Sequence, residues 1–118
     1  HDRLAQALTL SGFQAVVDEM PNGLETVLGS LGQKLSGGQK QKLSICRALY
    51  LSAGIIIFDE PTSAFDKKSE TEFFASLSLI KKNNIVIIVT HNSEYLEEFD
   101  KLVEFKGNGV VNVEKVRK

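Results

Sequence analysis

Thiols and long apolar runs are scarce in this sequence. Cys46 is its single cysteine, which excludes an internal disulfide and fits a reducing compartment. Its place on the apolar face of a predicted helix indicates that it packs against other residues. No apolar run approaches the roughly 20 residues of a membrane-spanning helix, and no signal-peptide pattern is visible. These residues therefore predict neither a disulfide-stabilised domain nor a membrane span.

An excess of either charge is also missing. Lysine and arginine number 14 against 15 aspartate and glutamate residues, which gives a formal net charge of -1. Because a nearly neutral chain offers no electrostatic attraction for a polyanion, we expect no nucleic-acid partner. The 118 residues are enough for one small domain or for part of a larger one.

A P-loop is missing as well. The pattern Gly-x-x-x-x-Gly-Lys-Ser/Thr, whose backbone cradles phosphates in a large class of ATPases, occurs nowhere in the sequence. The glycine pairs that lie near a lysine are Gly37-Gly38 and Gly107-Asn108-Gly109. The chain therefore lacks the main phosphate-binding element of that class.

A serine and two glycines, in the order Ser36-Gly37-Gly38-Gln39, precede a run of good helix formers that extends to Tyr50. The apolar residues of this run recur at helical spacing and predict one buried face: Leu43, Cys46, Leu49 and Tyr50. A Ser-Gly-Gly helix start suits phosphate, because bare backbone lets an anion approach and unpaired N–H groups favour negative charge. Taken alone, the pattern favours an ordinary N-cap.

A continuous apolar run from Ile55 to Phe58 follows this helix and predicts a strand buried on both faces, as in parallel sheets. Two acids, Asp59 and Glu60, come directly after it. At the carboxyl end of a parallel strand, two acids can serve a metal ion and a water molecule. Adjacent side chains on a strand point opposite ways, so we expect the two acids to have different roles. For an isolated Asp-Glu pair, two solvated acids in a loop would be the better interpretation.

Patterns elsewhere predict shorter elements. Strands are expected at 85–89, 102–105 and 110–113, the last two joined by a hairpin turn at 106–109. Helices are expected at 2–10, 13–19, 67–82 and 92–98, with Asp66 and Ser93 as the caps of the last two. Residues 114–118 are predicted to be a loose tail.

The order and separation of these features resemble the ATP-binding cassette (ABC) family over nearly the whole chain. In that family a signature sequence, here Leu35 to Gln39, precedes the Walker B strand, here Ile55 to Asp59. The catalytic glutamate, here Glu60, and the D-loop come next. His91, which follows the apolar run 85–89, stands where the family carries its switch histidine.

The loop before the signature, residues 24–34, resembles the exporter branch of the family, where Pro-x-Gly, a threonine and two glycines precede the signature. Ser30 stands where that branch usually has a glutamate, and this departure affects the contact expected with a transmembrane domain. Phe65 replaces a usual leucine on the D-loop, an apolar exchange that we expect to change little.

The resemblance implies an α/β fold, namely part of a P-loop NTPase domain that comprises a helical subdomain and parallel core strands without the P-loop half. In the family, the P-loop, an adenine-stacking aromatic residue and the Q-loop glutamine precede this region. We therefore expect residues 1–118 to be the C-terminal portion of one nucleotide-binding domain. The helical and signature part would cover about 1–52, and Walker B, the switch and the C-terminal strands would cover 53–118.

The resemblance also implies a site shared by two domains. Cassettes of the family dimerise head to tail, so that the signature of one domain contacts the nucleotide bound by the other. The residues implied in nucleotide contact are Ser36, Gly37, Gly38 and Gln39, together with Ser63 and Asp66 on the D-loop that crosses the interface.

Three further residues have implied roles in hydrolysis, with ATP and Mg²⁺ as the cofactors. Asp59, at the Walker B position, would hold magnesium through water. Glu60 would act as the general base for the attacking water. His91 would contact the γ-phosphate and position that water.

The function implied is an ATPase that powers an ABC exporter. Its expected partners are a second nucleotide-binding domain and the transmembrane domains, and its expected location is the cytoplasmic side of the membrane. Without the P-loop half, this chain alone is expected to be inactive.

Two alternatives remain open. One is a soluble ABC-type ATPase of DNA repair or chromosome maintenance, although such proteins carry long coiled-coil insertions before the signature and this sequence has none. The other is a non-catalytic interaction fragment, which the presence of Glu60 argues against.

Overall fold

The computed structural model describes residues 2–31, 33–52 and 54–116. Within these ranges the chain forms α-helices α1 to α4 and strands β1 to β4. In chain order they are α1 Asp2–Ser11, α2 Phe13–Asp18, α3 Gly37–Leu51, β1 Ile55–Asp59, α4 Lys67–Ile80, β2 Ile85–Val89, β3 Lys101–Phe105 and β4 Val111–Lys115. Short 3₁₀ turns lie at Gly23–Glu25 and Leu96–Glu98. None of the helices in the described ranges has the length and apolar character that crossing a membrane requires.

Helices α1 and α2 pack against α3 around a small apolar core. Its buried residues are Ala7, Leu8, Phe13, Val16, Val17 and Cys46. Burial raises the pKa of the Cys46 thiol, which fits the packing role predicted for it. Cys46 therefore helps to hold the helical part of the chain together.

Helix α3 buries most of the predicted face, since Cys46 is in the core and Leu43 and Leu49 pack against it, but the face differs at Tyr50 and Ile45. Tyr50 is exposed, with the Arg3 guanidinium 5.9 Å from its ring centroid, whereas Ile45 is buried. Leu43 and Leu49 are only partly buried. The prediction is wrong for Tyr50 because α3 contacts two cores, one through Cys46 and the other through Ile45.

Strands β1 and β2 pair in parallel, from Ile55 opposite Ile85 to Asp59 opposite Val89. Ile56 and Phe58 are buried in the core that includes α4. Ile55 and Ile57 point to the other face and are 61% and 66% exposed. The pairing agrees with the predicted strands, but burial on both faces is wrong, because helices cover one face alone within the described ranges.

Helix α4 begins where the sequence predicts. The Asp66 side chain caps it by accepting a hydrogen bond from the Ser69 backbone N–H at 2.7 Å. The helix ends at Ile80, two residues before the predicted end, and the Asn84 amide donates to the carbonyl of Ile80 at 2.9 Å. Its buried side chains are Phe73, Phe74, Leu77 and Ile80, as the amphipathic pattern predicts.

The segment after β2 differs from the prediction. Instead of a helix over 92–98 capped by Ser93, the chain has one 3₁₀ turn at Leu96–Glu98. The Asn92 side chain accepts a hydrogen bond from the backbone N–H of Glu94 at 2.9 Å. Such local side-chain bonds compete with helix formation, which explains why the periodic pattern fails here.

Strands β3 and β4 form the predicted hairpin, antiparallel from Lys101 opposite Lys115 to Phe105 opposite Val111. Its turn closes through the Lys106 N–H, which donates to the Val110 carbonyl at 2.7 Å. The prediction of a loose tail is wrong for residues 114–115, because they belong to β4. The next residue of that predicted tail, Val116, donates its backbone N–H to the Asp100 carbonyl at 3.1 Å. The last two, Arg117 and Lys118, lie outside the described residues, as do Gly32 and Ala53.

Candidate functional site

Two acids mark the carboxyl end of β1, as the sequence predicts. Asp59 is the last residue of the strand, and its side chain is exposed. Glu60 leaves the strand with φ of 45°, and within the described ranges it is the single non-glycine residue with a positive φ. Its backbone N–H donates to the Val89 carbonyl at 2.8 Å. The backbone conformation of Glu60 is therefore strained, which is a feature of functional sites.

Glu60 and His91 are neighbours. Oε1 of Glu60 accepts a hydrogen bond from the backbone N–H of His91 at 3.0 Å and lies 3.7 Å from the Nε2 atom of the imidazole. The imidazole is fully exposed, whereas the Glu60 side chain is partly covered. The structure therefore brings both predicted catalytic residues to one edge of the β1–β2 sheet, with their polar atoms accessible.

The start of α3 is a capping box. Ser36 Oγ accepts a hydrogen bond from the Gln39 backbone N–H at 3.2 Å, and Gln39 Oε1 accepts one from the Ser36 backbone N–H at 2.9 Å. The N–H groups of Gly37 and Gly38 make no hydrogen bond to any residue in the described ranges. Two donors therefore remain available to an anion at the positive end of the helix dipole.

The loop after Glu60 packs against this helix start. A Cβ atom added at Gly38 would lie 2.8 Å from the carbonyl oxygen of Ala64, so the backbones approach as closely as glycine allows. A cleft of about 550 Å³ borders both segments. It is lined by Ser36–Gln39, Lys42 and Ala64–Asp66, among others.

Ser63 and Asp66, the D-loop residues predicted to contact nucleotide, already have partners within the chain. Ser63 Oγ accepts a hydrogen bond from the Gln41 amide at 2.7 Å. Asp66 accepts hydrogen bonds from Ser69, whose backbone N–H holds the pKa of the Asp66 carboxyl below its usual value. Both side chains are nevertheless exposed.

Sequence reasoning misses Gln41. Its amide Nε2 donates to Ser63 Oγ at 2.7 Å and to the Glu60 carbonyl at 3.3 Å, and its Oε1 accepts from the Ala64 N–H at 2.8 Å. The sequence offers one signal for Gln41, namely its position three residues after Gly38, which places the two residues on the same face of the helix. Its partners, 19 to 23 residues away, could not be inferred from that signal.

The predicted residues thus form two groups. Ser36, Gly37, Gly38 and Gln39 lie with Ser63 and Asp66 around the start of α3, whereas Asp59, Glu60 and His91 lie at the strand ends. In the described ranges no hydrogen bond joins Ser36–Gln39 to Asp59, Glu60 or His91. Those ranges also hold no group of three His, Cys, Asp or Glu side chains arranged as metal ligands.

Comparison with known proteins identifies the family. A family model described as ABC transporter matches residues 4–63, about half of the chain. The chain belongs to the ABC transporter family. The family predicted from the signature, the Walker B strand and the histidine is therefore confirmed.

Relatives and a solved structure agree with this family. The chain is 37% identical over 110 residues to an "ATP-dependent lipid A-core flippase" of Burkholderia pseudomallei (strain 1710b), a match that covers 93% of this chain and 18% of the flippase. It is 44% identical over 99 residues to the protein of that name from Albidiferax ferrireducens, covering 84% of this chain and 17% of the relative. A bacterial Atm1-family ABC exporter with ATP bound superimposes with a TM-score of 0.74 and 26% identity, covering 87% of this chain and 18% of the exporter.

The chain therefore spans about 18% of the length of these relatives. Over that span, its α/β architecture with parallel core strands matches part of an ABC ATPase domain, as the sequence predicts.

Proposed function

We propose that this chain is part of the nucleotide-binding domain of an ABC exporter, in which ATP binding and hydrolysis power movement of a substrate across a membrane. The observation that carries the proposal is the contact between Glu60 and His91 beside Asp59 at the strand ends. The names of the relatives, lipid A-core flippases and an Atm1-family exporter, favour an exporter over a soluble ABC ATPase.

The start of α3 has the donors that a nucleotide phosphate needs. The N–H groups of Gly37 and Gly38 are available, and the Ser36 hydroxyl can still donate its hydrogen while its oxygen caps the helix. No side chain at either glycine blocks an approaching anion. These residues, with Gln39 completing the capping box, would hold the phosphates of ATP bound by a partner domain.

Glu60 can act as a general base. Its Oε1 is held by the His91 N–H, whereas its Oε2 makes no hydrogen bond within the described ranges. Oε2 can therefore accept a proton from a water molecule that the exposed His91 imidazole orients. Asp59, an exposed carboxylate one residue away, suits Mg²⁺ held through water. MgATP would supply the γ-phosphoryl group and the cation that neutralises its charge.

Two copies of the domain complete the proposed site. Within one chain, Ser36–Gln39 and Glu60 belong to separate groups, so head-to-tail pairing would bring the signature of one copy to the nucleotide of the other. Ser63 and Asp66, exposed on the loop between these groups, would lie at that interface. Transmembrane domains would be the further partners, with this domain on the cytoplasmic side of the membrane.

Replacing the proposed base in the intact protein that carries this chain tests the function. We expect Glu60→Gln to lower kcat for ATP hydrolysis by a factor of about 10²–10⁴, because an amide cannot accept the proton of water. Binding of ATP should persist. Glu72→Gln, an exposed position on α4, is the matched control and should retain the activity of the unchanged protein. Full turnover in the Glu60→Gln protein would contradict the assignment.

Calorimetry tests the proposed division of the domain. Because the sequence contains no P-loop, this chain alone should give no heat with MgATP. Heat should appear when a polypeptide that carries the P-loop half is added. Tight binding by the chain alone would contradict the proposal.

A further inference from the structure

We propose that Gln41 is a positioning residue that ties helix α3 to the backbone of Glu60, an inference that rests on the function proposed above. The amide nitrogen and the amide oxygen of Gln41 both hydrogen-bond to the loop at residues 60–64. Nε2 donates to Ser63 Oγ and to the Glu60 carbonyl, and Oε1 accepts from the Ala64 N–H, at 2.7, 3.3 and 2.8 Å. The side chain is partly buried, so water replaces these bonds only at some cost.

The backbone of Glu60 needs such support. A non-glycine residue at φ of 45° is strained, and such a conformation persists only where its surroundings hold it. Its N–H is bound to Val89 of β2, and its carboxylate to the N–H of His91. The carbonyl oxygen of Glu60 accepts one hydrogen bond from the Gln41 amide and a longer one, at 3.4 Å, from the Ser63 N–H. Gln41 is therefore the one residue of α3 that bonds to Glu60 in the described ranges.

Gln41 also lies one helical turn beyond Gly38, in the first half of α3. Because a helix moves as a rigid unit over such a distance, a shift of Ser36–Gly38 would carry the Gln41 amide with it. In the proposed dimer, Ser36–Gly38 contact one nucleotide and Glu60 acts on the other. Gln41 would then link the position of Glu60 to that of the signature of its own chain.

Glutamine is the side chain that these contacts require. Methionine has nearly the same length and shape but neither donates nor accepts such bonds. Glutamate keeps the acceptor for the Ala64 N–H but loses both donors, and its charge faces the Glu60 carbonyl. If Gln41 acts through the Glu60 carbonyl, the acceptor-only variant should not restore activity.

ATPase kinetics of the intact protein test this inference. We expect Gln41→Met to lower kcat by about 10- to 100-fold, since small misplacement of a catalytic group has effects of that size. KM for ATP should change by less than about threefold, because an interaction that acts only in the transition state leaves KM unaltered. Gln41→Glu should be impaired similarly. Gln14→Met removes a helix-surface amide that bonds Asp18 at 2.8 Å and should have no effect on turnover.

A double variant distinguishes positioning of Glu60 by Gln41 from a general structural role of Gln41. If Gln41 acts through Glu60, adding Gln41→Met to the Glu60→Gln protein should lower the residual turnover by less than about twofold, because the group to be positioned is already inactive. An equal loss in both backgrounds would overturn the inference. Full kcat in the Gln41→Met protein would also overturn it, leaving the proposed function intact. No turnover in the unchanged protein would overturn the proposed function and this inference together.

Discussion

An alanine Cβ at Gly38 would lie 2.8 Å from the carbonyl oxygen of Ala64, nearer than real Cβ contacts permit. Alanine favours a helix over glycine by about 1 kcal/mol. The clash is with backbone, however, so α3 or the loop after Glu60 must shift. We expect Gly38→Ala to lower the free energy of unfolding by roughly 1–3 kcal/mol, as overpacking does.

Gly37→Ala is the matched control for this prediction. Its Cβ would meet the Cβ of Ala64 at 3.6 Å, an ordinary contact, so helix propensity should dominate and stability should not fall. Urea unfolding of both variants measures the difference. Equal stability of the two would show that the close approach of Gly38 to Ala64 is not maintained in solution.

The starts of α3 and α4 were predictable from the sequence because the capping residues lie next to the helices that they begin. Ser36 and Gln39 have the spacing of a capping box, and Asp66 precedes a run of helix formers. Both caps form as such patterns require. The strand ends that carry Asp59 and His91 were predictable for a similar reason, since each follows a short apolar run.

The contacts that organise the site were not predictable. The φ of Glu60 and the three bonds of Gln41 depend on a loop that folds back on a helix about 20 residues away, and no periodic pattern encodes that approach. Burial was misjudged for a related reason. The apolar run at 55–58 is typical of a strand with helices packed on both faces of its sheet. The composition of a strand does not show whether helices are present on both faces.

The aromatic cluster that α4 forms with Tyr95 should contribute a large share of the free energy of unfolding. Phe74 is 1% exposed, stacks on Tyr95 with centroids 4.2 Å apart, and meets Phe73 edge-on at 5.4 Å. We expect Phe74→Ala to cost about 3–5 kcal/mol of unfolding free energy through lost contacts and a cavity. Phe105→Ala, at a 78% exposed position, should change it by less than about 0.5 kcal/mol. Similar losses in the two variants would contradict the burial of Phe74.

Stability at acid pH should depend on Asp66. Because hydrogen bonds from Ser69 hold its pKa in the folded chain below the usual value, the ionised form favours folding. This contribution is present above about pH 4 and is lost as pH falls through the lowered pKa. Asp66→Asn keeps a capping oxygen that does not titrate, so its unfolding free energy should fall less steeply between about pH 5 and pH 2. Parallel pH profiles for the two proteins would exclude this role.

The open face of the β1–β2 sheet should make this chain associate when it is studied alone. Side chains on that face are apolar and about half exposed or more: Ile55, Ile57, Ile85, Ile87 and Val89. Contiguous apolar surface of this kind favours self-association, and the unpaired strand edges of such a sheet add to that tendency. Ile57→Thr removes apolar contact from the centre of this face and should weaken association by about tenfold, which corresponds to about 1.4 kcal/mol. Leu31→Thr, at a 99% exposed loop position outside the sheet, should leave association unchanged. Sedimentation velocity over a range of concentrations measures both, and a monomer at every concentration would mean that this face stays free in water.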